Sequence, residues 1–280
     1  MIAETIRARQ SFSEVAALDD ETFSLDRAAL ILALEDYPEL DIQQYLRQLD
    51  TLAARTEVLI GTDLSAGSVI NSINEVLFVQ EGFRGNSEDY YDPRNSFLNE
   101  VLDRKLGIPI SLSVLYMEVA RRISFPIEGV GFPGHFLVKY VDNDREIIID
   151  AFNLGRILTM NDCQELLDKT YNGTISMNSS MLQPMGKRSI ITRMLYNLKG
   201  VYAQQEQHYR TLSVIDKILL LNPGTPSEVR DRGLIYMQTS LFAKALADLE
   251  YYLAHALASE DASYIQNHVK MLRGIVTAAN

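Results

Sequence analysis

At 280 residues, the chain is long enough for one large domain or two modest ones, with ample core in either case. Its hydrophobic fraction of 47% and charged fraction of 22% are ordinary for a soluble globular protein, and no run approaches the ~18 apolar residues of a membrane span. A net charge of -11 surrounds the chain with a field that repels phosphate backbones and anionic lipid, which sets nucleic acid and membranes aside as partners.

The opening MIAETIRARQSF lacks the apolar core of a secretory signal, and a single cysteine allows no internal disulfide, so a cytoplasmic location is expected. From Ser13 to about Ala54 the apolar residues recur at three and four: Leu25, Ala28, Ala29 and Leu32, then Ile42, Tyr45, Leu46, Leu49 and Leu52. This spacing predicts a hairpin of two amphipathic helices, broken at Tyr37-Pro38, with Asp41 capping the second. Ile70 to Gln80 has helical spacing again and ends at Gly82. The segment GFRGNSEDYYDPRNS that follows is a loop by composition. Its Tyr90, Tyr91, Asp92, Arg94 and Asn95 either form a recognition edge or satisfy one another, with Asp92-Pro93 starting a turn and Asn95 or Ser96 capping the next helix. That short helix, through Phe97, Leu98, Val101 and Leu102, is stopped by Gly107 and Pro109. Ser111 to Arg122 then reads as a mostly buried helix whose charges lie toward its C-terminal end.

Two β-rich runs follow, His135 to Val141 and Glu146 to Ala151, separated by Asp-Asn-Asp-Arg in the manner of a hairpin. A turn centred on Asp142-Asn143 sets His135 directly opposite Asp150, and a two-residue shift in pairing makes them diagonal neighbours on the same face. In both registers the imidazole and the carboxylate can meet. Beyond about Ser189 the pattern is purely helical and repeats at an offset of thirty-four: Tyr202 with Tyr236, Leu212 with Leu246, Ile215 with Leu249, Leu219 with Leu253. Asn222-Pro223 closes the first repeat, Ala243 and Ala245 supply small residues for close helix pairing, and a final helix spans roughly Ser263 to Ala278.

Acyl-transfer chemistry needs a nucleophile, an imidazole to take its proton and an acid to hold the imidazole's tautomer. His135 and Asp150 supply the last two. The nucleophile belongs at the start of a buried helix, where free N-H groups favour an oxyanion, and Ser111 and Ser113 are the candidates there. A serine after Ile-Pro-Ile at a helix start is by default an ordinary helix cap, and a His-Asp pair is equally a structural one. Cys163 lies in DCQELLDK, at an apolar position of an amphipathic helix, which marks it as core. The four histidines, His135, His208, His255 and His268, show no metal-ligand spacing. Gly129, Gly131 and Gly134 match G-x-G-x-x-G but run into a strand, so no phosphate loop, metal or cofactor is expected.

Three blocks occur in order: INEVLFVQEGFRGNSEDYYDPRNSFLNEVLDRKLGIPISLSVLYMEVA, GVGFPGHFLVKY and IIIDAFNLGRILT. With the flanking helical parts they resemble the SirB-type transglutaminase-like family, a bacterial set, over essentially the whole chain. The resemblance implies an α+β fold: a helical N-terminal segment (1-60), a papain/transglutaminase-like core with a small antiparallel sheet (61-188) and C-terminal tetratricopeptide-like helical repeats (189-280). It also implies that Ser111 stands where the family keeps its nucleophilic cysteine, with Ser113 the second choice, His135 as base and Asp150 as orienting acid. The function expected from this is a binding or regulatory module that meets a protein or peptide through its cleft and repeats. The alternative is a serine-dependent hydrolase or acyl transferase using Ser111, His135 and Asp150, with backbone N-H groups near Leu112 as oxyanion donors.

Overall fold

The structure is a computed structural model and describes residues 2-142, 145-256 and 260-279. The chain divides into two compact units, Met1–Met194 and Leu195–Asn280.

The first unit begins with three helices where the spacing predicts two. Helix α1 (Ile2–Ala16) turns Ala8, Phe12 and Val15 inward, α2 (Leu25–Ile31) tightens into a 3-10 turn at Leu32–Glu35, and α3 (Ile42–Ile60) follows. The hairpin expectation missed α1 because its apolar positions are sparse and interleaved with charge. Asp41 caps α3, its carboxylate accepting from the N-H groups of Gln43 and Gln44. Helix α4 (Ala66–Asn74), capped by Ser65, widens into a π-helical turn at Glu75–Gln80.

Strand β1 (Arg84–Gly85) pairs in parallel with β2 (Leu106–Gly107), which closes the intervening loop and helix α5 (Leu98–Arg104) into one bracket. Helix α5 is not capped by Asn95 or Ser96. Phe97 holds the cap position without a side-chain bond, and Lys105, at φ +61°, ends the helix. Pro109 is the first residue of α6 (Pro109–Arg122) and not a barrier before it, since a helix has no use for the N-H that proline lacks at that position. Helix α6 is buried on nearly every side, touching α2, α3, α4 and α5.

Strands β3 (Ile127–Val130), β4 (Leu137–Asp142), β5 (Arg145–Asp150) and β6 (Arg156–Leu158) form an antiparallel sheet in sequence order. The two short edge strands carry too little alternation to announce themselves. Asp142 pairs with Arg145, so the connection lies one residue later than a turn centred on Asp142-Asn143, and Asn143 itself is outside the described residues. Helix α7 (Met160–Tyr171), opened by a reciprocal Thr159–Asp162 cap, lays Cys163 and Leu167 on Val130, Phe132, Leu137 and Ile148. Cys163 is fully buried, as its place in the apolar pattern predicts.

The boundary between the units falls within α8 (Lys187–Gln204). In the second unit, α9 (His208–Leu221), α10 (Pro226–Gln238), α11 (Phe242–His255) and α12 (Ala262–Ala279) pack in succession. Helices α9 and α11 start thirty-four residues apart, at His208 and Phe242, and end thirty-four apart, at Leu221 and His255. Ala245 is buried between helices but Ala243 is exposed; the close approach is made by Gly233, where a Cβ would lie 2.9 Å from the Leu249 side chain. Among the described residues no helix is long and apolar enough to cross a membrane.

Candidate functional site

Ser111 sits at the third position of α6 and is fully buried. Its hydroxyl has two carbonyl acceptors, Asn95 at 2.6 Å and Ile108 at 3.2 Å, of which the shorter takes the proton, and its oxygen accepts from the Ile108 N-H at 3.0 Å. A cap was the ordinary expectation for this serine, and it does cap the helix, but from inside the first turn. Gly107 makes the fit possible, since a Cβ there would lie 2.8 Å from the Ser111 hydroxyl. Leu112 N-H is spent as well, on the Ile108 carbonyl at 3.1 Å, so it does not serve as the expected oxyanion donor. Ser113, one of the two serines read as candidates, is also fully buried, and its hydroxyl has no hydrogen-bond partner among the described residues.

Asn95 is held for this role by the loop before it. Its amide donates to the carbonyls of Asp89 and Tyr90 and accepts from Asn86, while Asn86 N-H donates to Gly107 across the β1–β2 bracket. Asp92 caps the short turn at Pro93–Ser96 and pairs with Arg94 and Arg104. The buried polar groups Asn86, Asp92 and Asn95 of the loop are thus satisfied, while the Tyr90 and Tyr91 rings stay exposed.

His135 lies just before β4, at the end of a turn in which its N-H bonds the Phe132 carbonyl and Gly134 takes φ +70°. Extending the β4–β5 register sets Leu137, not His135, across from Asp150, which makes the histidine a diagonal neighbour on the same face. The imidazole Nε2 and Asp150 Oδ1 are 3.0 Å apart. Because an ionised carboxylate only accepts, Nε2 carries the proton and Nδ1 is left as the basic nitrogen. Among the described residues Nδ1 has no hydrogen-bond partner, and no bond joins the ring to Ser111.

Asp150 is buried and heavily bonded, accepting also from the N-H groups of Phe152 and Asn153 and from the Asn153 amide. Burial pushes its carboxyl up, but the bonds and charge of His135, with those of Asn153, outweigh it and hold the group below the usual range. Sequence reasoning overlooked Asn153, although Asp-x-x-Asn at a strand end is the pattern of a side-chain-closed turn. The Phe152 ring stands edge-on to His135 at 6.0 Å and to Tyr90 at 6.3 Å, forming an aromatic wall. Among the described residues no group of three or more His, Cys, Asp or Glu side chains could hold a metal ion.

Residues 43-196 match the model of the transglutaminase-like superfamily, and residues 198-270 match the tetratricopeptide repeat. The chain belongs to the transglutaminase-like superfamily. A UPF0162 protein of Xylella fastidiosa is 37% identical to it over 92% of this chain and 93% of its own length. A UPF0162 protein of Vibrio cholerae is 28% identical over 91% of this chain and 94% of its own. The mouse F-box only protein 21 is 31% identical over 68% of this chain, which corresponds to 30% of that protein. No solved structure matches. The transglutaminase-like domain followed by tetratricopeptide repeats, with bacterial UPF0162 relatives, is the combination that the SirB-type resemblance implies.

Proposed function

We propose that this chain is a cytoplasmic binding or regulatory protein whose transglutaminase-like cleft has no usable nucleophile, and which meets a protein or peptide partner through that cleft and its tetratricopeptide repeats. The observation that carries the reading is the direction of the Ser111 hydroxyl: its proton is committed to Asn95 at 2.6 Å and not to an imidazole. A serine takes the place that the family resemblance assigns to cysteine, and a hydroxyl ionises too reluctantly to attack without an aligned base. The net charge of -11 favours protein over nucleic acid as partner.

One feature favours a second reading, a serine-dependent hydrolase or acyl transferase: His135 and Asp150 form a dyad with the tautomer a general base requires. In that case the Ser111 hydroxyl must turn from Asn95 to His135 during the reaction. Activity-based labelling separates the two. Wild type, Ser111→Ala and Ser111→Cys are treated with a fluorophosphonate and with a thiol-reactive chloroacetamide. The binding reading expects no fluorophosphonate adduct on wild type; an adduct lost in Ser111→Ala establishes the enzyme instead.

A further inference from the structure

From Thr56 to Phe83 the chain holds no Lys, Arg or His, yet it carries Glu57, Asp63, Glu75 and Glu81. Glu81 is paired from outside the segment, by Arg55 and Lys105. The other three have no cationic partner among the described residues: Glu57 is exposed, Asp63 accepts from the Ser65 N-H, and Glu75 accepts from the Gln80 amide. By contrast Asp26, Asp50 and Glu118 all meet Arg122. The cation-free segment forms the last turn of α3, the whole of α4 and the π-helical turn that follows. Arg55 on α3 bonds Gln80, while Leu59, one turn later, faces Asn71 and Glu75, so the two rods run antiparallel. Between them lies a shallow depression of about 490 Å³, lined by Leu59 and Asp63 on one side and Ser68, Asn71 and Glu75 on the other.

Leu52, Val69, Ile73, Val76 and Leu77 turn the inner faces of this hairpin into core, but Val58 is 80% exposed, Leu64 78% and Val79 69%. Each adjoins the depression in sequence: Val58 precedes Leu59, Leu64 follows Asp63, and Val79 lies one turn beyond Glu75. A single exposed apolar residue is ordinary, whereas several beside one groove mark a contact surface. A groove between antiparallel helices takes a third helix, whose side chains settle between theirs. From Ser68 to Val79 the floor runs about 17 Å, the length of about three helical turns. The carboxylates decide the sign of the partner, because an acidic or phosphate-bearing one would meet Glu57, Asp63, Glu75 and a net charge of -11. We propose that the α3–α4 hairpin is the docking surface for a basic amphipathic helix of another protein. Its apolar stripe covers Val58, Leu59, Leu64 and Val79, and its Lys or Arg side chains reach the three carboxylates. The surface shares no residue with the site around His135 and stands whether or not that site is catalytic.

The test is fluorescence anisotropy of the full chain with dye-labelled, fourteen-residue peptides of leucine and lysine. One has amphipathic helical spacing, one is a scramble of the same composition, and one carries glutamate in place of lysine. The amphipathic basic peptide is expected to bind, and the other two to bind about tenfold more weakly or worse. Replacing Glu57→Gln, Asp63→Asn and Glu75→Gln together should weaken it about tenfold, the sum of three exposed charge contacts. Replacing Glu21→Gln, Glu39→Gln and Glu165→Gln removes the same charge elsewhere and should change binding by no more than about twofold. Val58→Ser, Leu64→Ser and Val79→Ser together should also weaken it about tenfold, with thermal melting to check the fold. If that variant melts early, the two charge triples decide. Equal loss in both charge triples, full binding by a folded serine triple, equal binding of the scramble, or no binding at about 100 μM protein overturns the proposal. So does a dimer of the free chain, seen by sedimentation and abolished by the serine triple, when no peptide binds, since the surface then serves a second copy.

Discussion

At the start of α6 the Ser111 hydroxyl is spent within the fold, whereas at the end of the β4–β5 hairpin one imidazole nitrogen has no partner among the described residues. Ser111 is fully buried and gives both its proton and a lone pair to backbone groups. His135 is anchored as firmly through Nε2 to Asp150, yet a ring has a second nitrogen, and anchoring one leaves the other for a ligand. The difference teaches that residue types in the right order do not by themselves fix which hydrogen-bonding atoms are left free. What matters is where each proton points, and burial without water forces a hydroxyl to the nearest acceptor.

The largest expected effect bears on the hairpin end of this contrast. Asp150→Ala strips the acceptor from His135, Phe152 and Asn153 together and is expected to cost about 3 kcal/mol in urea unfolding. A loss below about 1 kcal/mol would show that the anchor is dispensable.

Acid probes the far end of α6. There Asp26 binds Arg121 and Arg122; burial pushes its carboxyl up, but the bonds from Ser24 and Arg122 prevail and draw it down to about 2. A depressed carboxyl contributes stability that is complete above its unfolded value near 3.8 and is lost as pH falls toward 2. About 2 kcal/mol should disappear across that window. Asp26→Asn should flatten the acid limb of stability measured between pH 5 and pH 2; an unchanged slope would refute the assignment. Glu118 opposes the trend, because burial and the charge of Asp26 raise its pKa and it gains stability on protonation.

Two serines on one helix sharpen the contrast further. Ser111→Ala leaves the Ile108 N-H and the Asn95 carbonyl without their partner, an expected loss of about 1 to 2 kcal/mol by equilibrium denaturation. Ser113→Ala removes a buried hydroxyl that bonds nothing among the described residues, so stability should stay level or rise by about 0.5 kcal/mol. Equal losses for the two would mean that the satisfied and unsatisfied hydroxyls do not differ in kind.

Local pattern was enough wherever the cause is local. The Asp41 cap, the thirty-four-residue offset, the burial of Cys163 and the meeting of His135 with Asp150 all follow from spacing along the chain, because helix turns and strand pleats repeat over a few residues. The sequence also carried the family resemblance, whose blocks lie in order across the core. Tertiary structure decided the rest. Ser111 meets an acceptor 16 residues earlier because β1 and β2 pair in parallel, and a pairing of two residues per strand leaves no periodicity to read. Arg193 reaches His135 from 58 residues away, with nothing in either segment to foretell it. A nucleophile-like position was therefore legible in the chain, but the direction of its proton was not, since that depends on which acceptor the fold brings within 3 Å.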